Sequence, residues 1–328
     1  MSNEEEPKVL VTGGTGLVGS HVVDVLLEAG FPVRCTVRAT SNLRWLAGKP
    51  VELVETDLTG GELGEAVSGV DAVVHCAGLT RGSRRELMSA NHEGTRALLA
   101  ACGATGRRVR FVFCSSQAAA GPGEPNRPRE LTDAPAPVSD YGRSKLAAEE
   151  EVLAHSDRLE VAILRPAAVY GPRDEDTFPY FQMASRGLLV APGLRERLVQ
   201  LVHVRDVARA MLKALQRAEA VGKTYFVAHP EVVSWRRMTA AMAQALGRRA
   251  VTVRLPSALV GAAGAISELL GGGRRAGQLD RRRARDMAAR AWTCDVDRTI
   301  EELDWSPAFN IEEGFRDSAE WYRKEGWL

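Results

Sequence analysis

Residues 11–20 read VTGGTGLVGS, an apolar run that ends in Gly13, Gly14, Gly16 and Gly19. Two glycine spacings can be read in it, Gly14-x-Gly16-x-x-Gly19 and Gly13-x-x-Gly16-x-x-Gly19. In either, a strand stops at the glycines and a helix starts at Leu17, so the unpaired N–H groups of the helix point at whatever lies beyond the strand. Small residues suit such a turn, because a diphosphate must approach the backbone closely and the helix must pack tightly on the strand. The stretch predicts a pyrophosphate seat at the start of a βαβ unit.

Outward from this turn the pattern repeats. KVLVTG, PVRCTVR, VELVETD, DAVVHCAG, VRFVFCSS and LEVAILRP are short apolar runs, each followed by turn residues and a mixed polar and apolar stretch. Nearly continuous apolar strands alternating with helices predict a parallel sheet covered on both faces, a doubly wound, Rossmann-like α/β domain over residues 1–172. After VYGP the pattern breaks, then resumes with RLVQLVHV, RDVARAMLKALQRA and KTYFVAH, so residues 198–229 are expected to return to the sheet. Residues 173–328, mainly 173–197 and 230–328, are expected to form a smaller and largely helical substrate-binding domain. Its tail holds four of the six tryptophans, Trp292, Trp305, Trp321 and Trp327, a composition that suits a packed segment.

Composition narrows the possible functions. With 43 basic and 42 acidic residues the net charge is +1, which leaves no global field for nucleic acid. The five cysteines form no Cys-x-x-Cys pair and the six histidines show no ligand spacing, so no metal site is expected and the thiols are read as reduced. The acidic opening MSNEEEPK lacks the basic and then apolar pattern of a signal peptide, and a cytoplasmic location is expected. The apolar run 258–270 is shorter than the roughly 20 residues needed to cross a bilayer. It is read first as a core helix, then as substrate cover or a peripheral membrane contact. The arginine-rich run 279–290 is read as a solvated helix face.

Cofactor choice is written at the end of the second run. No Asp or Glu occurs between Glu28 and Glu52, and the run ends at Arg38, where an NAD-selective site would carry an acid for the ribose hydroxyls. A guanidinium there pairs with a 2′-phosphate in fork geometry, so NADP(H) is favoured, with NAD(H) as the alternative. Chemistry is written in SDYGRSKLAAEEEV, where Tyr141 and Lys145 share one helix face. An ammonium beside a tyrosine favours its phenolate and moves it towards the working pH range. The strand end FCSSQ places Ser115 and Ser116 upstream, and a serine hydroxyl can hold the substrate oxygen.

Taken together, TGGTGLVG, Asp57-Leu58, VVHCAG, NHEGT, FCSSQAAAG, YGRSK, LRPAAVYGP and LVHVRDVA, in this order, resemble the extended short-chain dehydrogenase/reductase family over nearly the whole chain. The resemblance selects Gly13, Gly16 and Gly19 as the fingerprint, with Gly14 a turn residue between them. It implies that Thr15, Leu17 and Val18 join those glycines around the cofactor. Asp57 and Leu58 would line the adenine pocket, Ala77 and Gly78 lie along the cofactor with Ser115 nearby, and Pro166, Ala168 and Val169 flank the nicotinamide. It implies further that Tyr141 is the general acid/base, that Lys145 lowers its pKa and binds the nicotinamide ribose, and that Ser116 orients the reacting oxygen. Asn91 matches a family position near the active site. A homodimer acting on a small-molecule substrate is expected.

For that substrate the substrate half resembles 3β-hydroxysteroid dehydrogenases and dihydroflavonol-type reductases, through TVR and GPRDEDTFPYFQMASRG, and those relatives take apolar alcohols or ketones. Nucleotide-sugar members usually carry Gly-Asp-Gly and a diphosphate-clamping arginine before the HV strand. Here the clamp position falls on Val199, with Arg195 and Arg197 as the nearby replacements. A dehydratase would carry an acidic pair where Gln117 and Ala118 stand. Gln117, Phe181 and Met183 are candidate substrate contacts, and His75 and His203 are read as packing residues. The leading expectation is an NADP(H)-dependent alcohol/ketone oxidoreductase. The alternatives are a nucleotide-sugar epimerase or dehydratase and a non-catalytic NADP(H)-binding redox sensor.

Overall fold

The computed structural model describes residues 6–192, 196–255 and 289–328. The apolar run 258–270, Arg195 and all but the end of the arginine-rich run 279–290 lie outside the described residues. Six strands alternate with helices in the first half: β1 (Val9–Thr12), α1 (Leu17–Glu28), β2 (Val33–Val37), β3 (Val51–Glu55), α2 (Gly64–Val67), β4 (Ala72–His75), α3 (Arg84–Leu87), α4 (Gly94–Ala104), β5 (Arg110–Cys114), α5 (Gln117–Ala120), α6 (Asp140–Ala154) and β6 (Glu160–Pro166). The chain continues through β7 (Ala168–Tyr170), α7 (Phe178–Ser185), β8 (Leu188–Pro192), β9 (Leu198–Val199), β10 (Leu201–His203), α8 (Val204–Gln216), β11 (Lys223–Val227), β12 (Val233–Ser234), α9 (Trp235–Ala245), β13 (Val251–Leu255), β14 (Ala291–Trp292), α10 (Asp297–Leu303) and α11 (Ile311–Lys324).

The expected sheet is present. Seven parallel strands lie in the order β11-β6-β5-β4-β1-β2-β3, and the order reverses between β1 and β4. In doubly wound sheets such a switch point opens a crevice beyond the strand carboxyl ends. Strands buried on both faces account for the near-continuous apolar runs, since β1, β2 and β4 are buried at every position. One core, under α1 and α8, gathers Val9, Val11, Val23, Leu26, Val207 and Met211. The core on the opposite face gathers Leu10, Leu98, Phe111, Phe113, Val152 and Ile163.

A third core builds a second lobe, expected from the sequence as the substrate lobe, around Tyr170, Phe181, Met242, Phe315 and Tyr322. The chain visits this lobe repeatedly. Strand β11 pairs with β6 to close the main sheet, and α8 buries its apolar stripe against α1. Residues 297–305 also come back, because Leu303 and Trp305 are buried in the first core and Thr299 Oγ1 donates to the Phe226 carbonyl at 2.6 Å. The carboxylate of Asp206 holds this return in place by accepting the N–H groups of Ala308 and Phe309 at 3.0 and 3.2 Å. Strand β9, by contrast, pairs with β12 and β14 outside the main sheet.

Candidate active site

The glycine turn fits a diphosphate by what it omits. Gly13 has φ +71°, and a Cβ on it would stand 2.6 Å from the Ala77 nitrogen. A Cβ on Gly19 would stand 2.2 Å from the Gly13 oxygen, so these two glycines let the turn, the helix and the end of β4 touch backbone to backbone. The Gly16 N–H donates to the Gly13 carbonyl at 2.9 Å, and Gly16 caps α1 with neither a side-chain cap nor an acid in the first turn. Gly14 faces inward instead, towards Cys35 and Val23. Gly13, Gly16 and Gly19 thus form the cradle, Gly14 packs behind it, and Thr15, Leu17 and Val18 are half-buried along it. The open helix N-terminus suits an anion.

Arg38 is exposed just past β2, its backbone N–H bonded to Ser41 Oγ at 2.9 Å. Asp57, exposed beyond β3, accepts from the backbone N–H and hydroxyl of Thr59. Those bonds hold its carboxyl below the usual range, and the charge of Arg38 adds to the effect. Leu58 is half-buried against Gly94. Ala77 and Gly78 follow β4, half-buried and exposed respectively. Pro166 ends β6 and is buried, while Ala168 and Val169 lie on β7, paired with Leu201 and Val202. Each of these residues follows a strand end on the same side of the sheet.

A hydrogen-bond chain ties this rim together. Ala77 N–H donates to Thr12 Oγ1 at 3.2 Å, and Thr12 Oγ1 lies 2.6 Å from His75 Nδ1. His75 Nε2 lies 2.9 Å from Thr95 Oγ1, whose hydroxyl donates to the Asn91 carbonyl at 2.5 Å. Only a neutral His75 protonated on Nε2 gives every hydroxyl one donor and one acceptor role. Burial agrees, pushing the His75 pKa down to about 3. Asn91 itself sits in a π-helical turn, Met88–Glu93, and is buried. Its Oδ1 accepts from the Leu79 N–H at 2.7 Å, and its Nδ2 donates to the Leu79 carbonyl and to Ser144 Oγ, each at 2.9 Å. All its side-chain polar atoms are engaged by protein.

The candidate reactive residues lie at the starts of α5 and α6, two helices that pack together. Ser116 caps α5, its Oγ accepting from the Ala118 N–H at 3.2 Å, and remains half-buried. Tyr141 is half-buried in the first turn of α6. Gly142 lets the two elements approach, since a Cβ there would stand 2.3 Å from the Ala118 oxygen. The buried Lys145 donates to the Cys114 carbonyl at 2.7 Å and lies 4.2 Å above the Phe113 ring. Desolvation lowers its pKa, and the charges of Cys114 and Glu149 oppose that drop. Ser115 is placed differently: it is buried, and its hydroxyl donates to Glu149.

Among the candidate substrate contacts, Gln117 follows Ser116 and is 3% exposed, and its Nε2 has no hydrogen-bond partner among the described residues. Phe181 is fully buried in the substrate-lobe core, edge-on to Phe315 and Tyr322, while Met183 is half-buried against that core. Val199 is held in a ladder between Val233 and Trp292. His203 is buried among Tyr170, Phe309 and Asp317. The described residues contain no metal-ligating cluster and no helix long and apolar enough to cross a membrane. Sequence reasoning passed over Gly142, Glu149 and Arg165. Glu149 was within reach, because it repeats the four-residue spacing of Tyr141 and Lys145 and so places a carboxylate on a face that must be buried.

A glycine cradle at the switch point, with serine, tyrosine and lysine gathered beyond β5, defines a short-chain dehydrogenase/reductase of the extended type. The chain belongs to the NAD dependent epimerase/dehydratase family, whose sequence profile matches residues 9–228. It is therefore an NAD(P)-dependent enzyme of the oxidoreductase type. It is 29% identical to the ceramide reductase of Caulobacter vibrioides, over 100% of this chain and 98% of that one. It is 30% identical to a putative dihydroflavonol 4-reductase of Synechocystis, over 97% and 95% of the two chains. The solved structure of MoeE5 with UDP-glucuronic acid and NAD superposes with a TM-score of 0.77 at 25% identity, covering 97% of this chain and 99% of that one.

Proposed function

We propose that this protein is an NADP(H)-dependent oxidoreductase that interconverts a secondary alcohol and a ketone on a fairly apolar small molecule. The observation that carries the reading is the lock between Lys145 and the Cys114 carbonyl, which holds the Tyr141 helix against the turn that carries Ser116. When bound, the dinucleotide gives or takes the hydride. Ser116 orients the substrate oxygen, Tyr141 gives or takes its proton, and the Lys145 ammonium favours the phenolate between turnovers. Arg38, at the open end of β2, favours a 2′-phosphate.

Two positions argue for an apolar substrate and net redox chemistry. The diphosphate-clamp position is Val199, which offers no hydrogen bond to a desolvated phosphate. Gln117 and Ala118 stand where a dehydratase would carry acids, and the unpaired Gln117 carboxamide is suited to bond a polar group next to the reacting carbon. The ceramide and dihydroflavonol reductases fit this reading. A nucleotide-sugar epimerase is the second reading, favoured by the likeness to MoeE5 and by Arg197, which is half-buried beside Val199. The test is to follow NADPH and NADH absorbance with a panel of apolar ketones, and product sugars with UDP- and dTDP-sugars. Stoichiometric NADPH oxidation with a ketone is expected, and epimerised sugar without net cofactor consumption would overturn the reading.

A further inference from the structure

Behind the reactive side chains lies a buried ion pair. Arg165 Nε donates to Glu149 Oε1 at 2.9 Å and Arg165 Nη2 donates to Glu149 Oε2 at 2.6 Å, a two-point fork. The two side chains are 8% and 3% exposed. The Ser115 hydroxyl donates to the same carboxylate. A buried ion pair is not in itself a good way to stabilise a fold, since well-packed apolar residues of similar volume often do as well or better. Its location is more informative. Ser115 immediately precedes Ser116, Arg165 immediately precedes Pro166, and Glu149 is one helical turn beyond Lys145. One carboxylate therefore joins the ends of β5 and β6 to the face of α6.

We propose that Glu149 and Arg165 are positioning residues for the reaction, a counter-ion pair that fixes the serine turn, the Lys145 helix face and the Pro166 turn against one another. The proposal rests on the Tyr141–Lys145 chemistry above and not on the identity of the substrate. It also sets the local charge. The titratable groups acting on Lys145 are Cys114 on β5, Cys76 and the neutral His75 at the end of β4, and Glu149 on its own helix, with Arg165 from β6 behind Glu149. Because Arg165 balances Glu149, the Lys145 ammonium is the uncompensated charge of the cluster. Removing the carboxylate alone makes the site more positive, which eases proton loss from Tyr141. Removing both charges restores the balance.

The test compares Glu149→Gln, Arg165→Lys, Ser115→Ala and the double variant Glu149→Gln/Arg165→Met with the wild type. In Glu149→Gln, kcat is expected to fall about 10- to 100-fold with KM changed much less, the response to a misplaced reactive group. The acid limb of alcohol oxidation is expected to move down by roughly half a pH unit or more, and to return in the double variant. Titration of tyrosinate absorbance with NADP⁺ bound, taken as the difference from Tyr141→Phe, reads the same shift without turnover. That arm stays decisive even if no ketone proves to be a substrate. An unmoved limb with kcat within twofold of wild type overturns the proposal. So does a limb that moves identically in the single and double variants. Should Glu149→Gln fail to fold, Arg165→Lys and Ser115→Ala decide: about a tenfold loss of kcat in each, with the acid limb in place, is expected, and wild-type kcat in both overturns the proposal.

Discussion

Tyr141 lies one helical turn before Lys145, and the ammonium is fixed by the Cys114 carbonyl, so under the proposed function the charge partner of the proton-handling group is positioned independently of substrate. Tyr141→Phe is expected to lower kcat about 10²–10⁴-fold while NADPH titration changes little. A variant that keeps half the wild-type rate would remove Tyr141 from the role. Arg38 holds the matching place in the proposed choice of cofactor. Arg38→Asp should weaken NADPH binding and leave NADH binding unchanged or tighter, because it replaces a phosphate partner with a repelling charge. Equal loss for both cofactors in a paired titration would refute this. These proposed site residues stand out in the sequence because they are hydrophilic groups at strand ends or at helical spacing in a fixed order. Ser115, Asn91 and Phe181 show where such reading stops. A serine beside the reactive one spends its hydroxyl on Glu149, an amide near the site is wholly engaged by Leu79 and Ser144, and a phenylalanine at helical spacing is core.

Two short helix starts carry consequences at the scale of the element. Helix α6 approaches the Ser116 turn only because residue 142 has no side chain. Gly142→Ala forces a Cβ to within 2.3 Å of the Ala118 oxygen, and it is expected to cost roughly 1–3 kcal/mol of stability and to lower kcat. Gly103→Ala on α4, where a Cβ meets nothing within 4 Å, should instead be neutral or stabilise by roughly 0.5–1 kcal/mol. Thermal unfolding of the two variants checks the contrast. At the start of α7, Asp174 is buried, and desolvation raises its pKa from 3.8 to about 6, against the bonds it accepts from Thr177 and Asp176. A raised folded-state value means that the native protein holds the extra proton. Stability from the neutral carboxyl is present at low pH and is lost as pH rises through about 6. The loss is roughly 1–2 kcal/mol between pH 5 and 8, the rest of it falling between the unfolded value of 3.8 and pH 5. Asp174→Asn imitates the neutral form, donating to Thr177 while accepting from Asp176, so its urea midpoint should exceed wild type by a margin that widens between pH 5 and pH 8. A midpoint that falls equally in both proteins would show that Asp174 is not the cause. The long strands were legible because burial on both faces makes them continuously apolar. The two- and three-residue strands β7, β9, β12 and β14 were not, since so few residues carry no period and their pairing is decided by distant partners.

Strand β10 pairs with β7 outside the main sheet, but across the whole molecule the doubly wound sheet and the return of the chain through α8 and β11 were readable from the resumed apolar pattern. The second return, at residues 297–305, was not, because the tryptophans of the tail look alike in sequence. Trp305 nevertheless belongs to the sheet's core, with its Nε1–H on the Asp206 carbonyl at 3.0 Å, while Trp321 and Trp327 pack together in the other lobe. Arg44 to Glu175, Arg81 to Asp176 and Arg173 to Asp24 clasp the lobes across their seam. This weaving limits how specificity can be exchanged between relatives. The substrate-lobe core draws on residues 170–189, 199–201, 233–250 and 311–328, which alternate along the chain with pieces of the sheet's own cores. A chimera with one crossover after Pro172 would transplant α8, β11 and α10 along with that core, leaving the donor's helix pressed against the recipient's α1. The substrate lobe is a compact object in space but not a cassette in the gene.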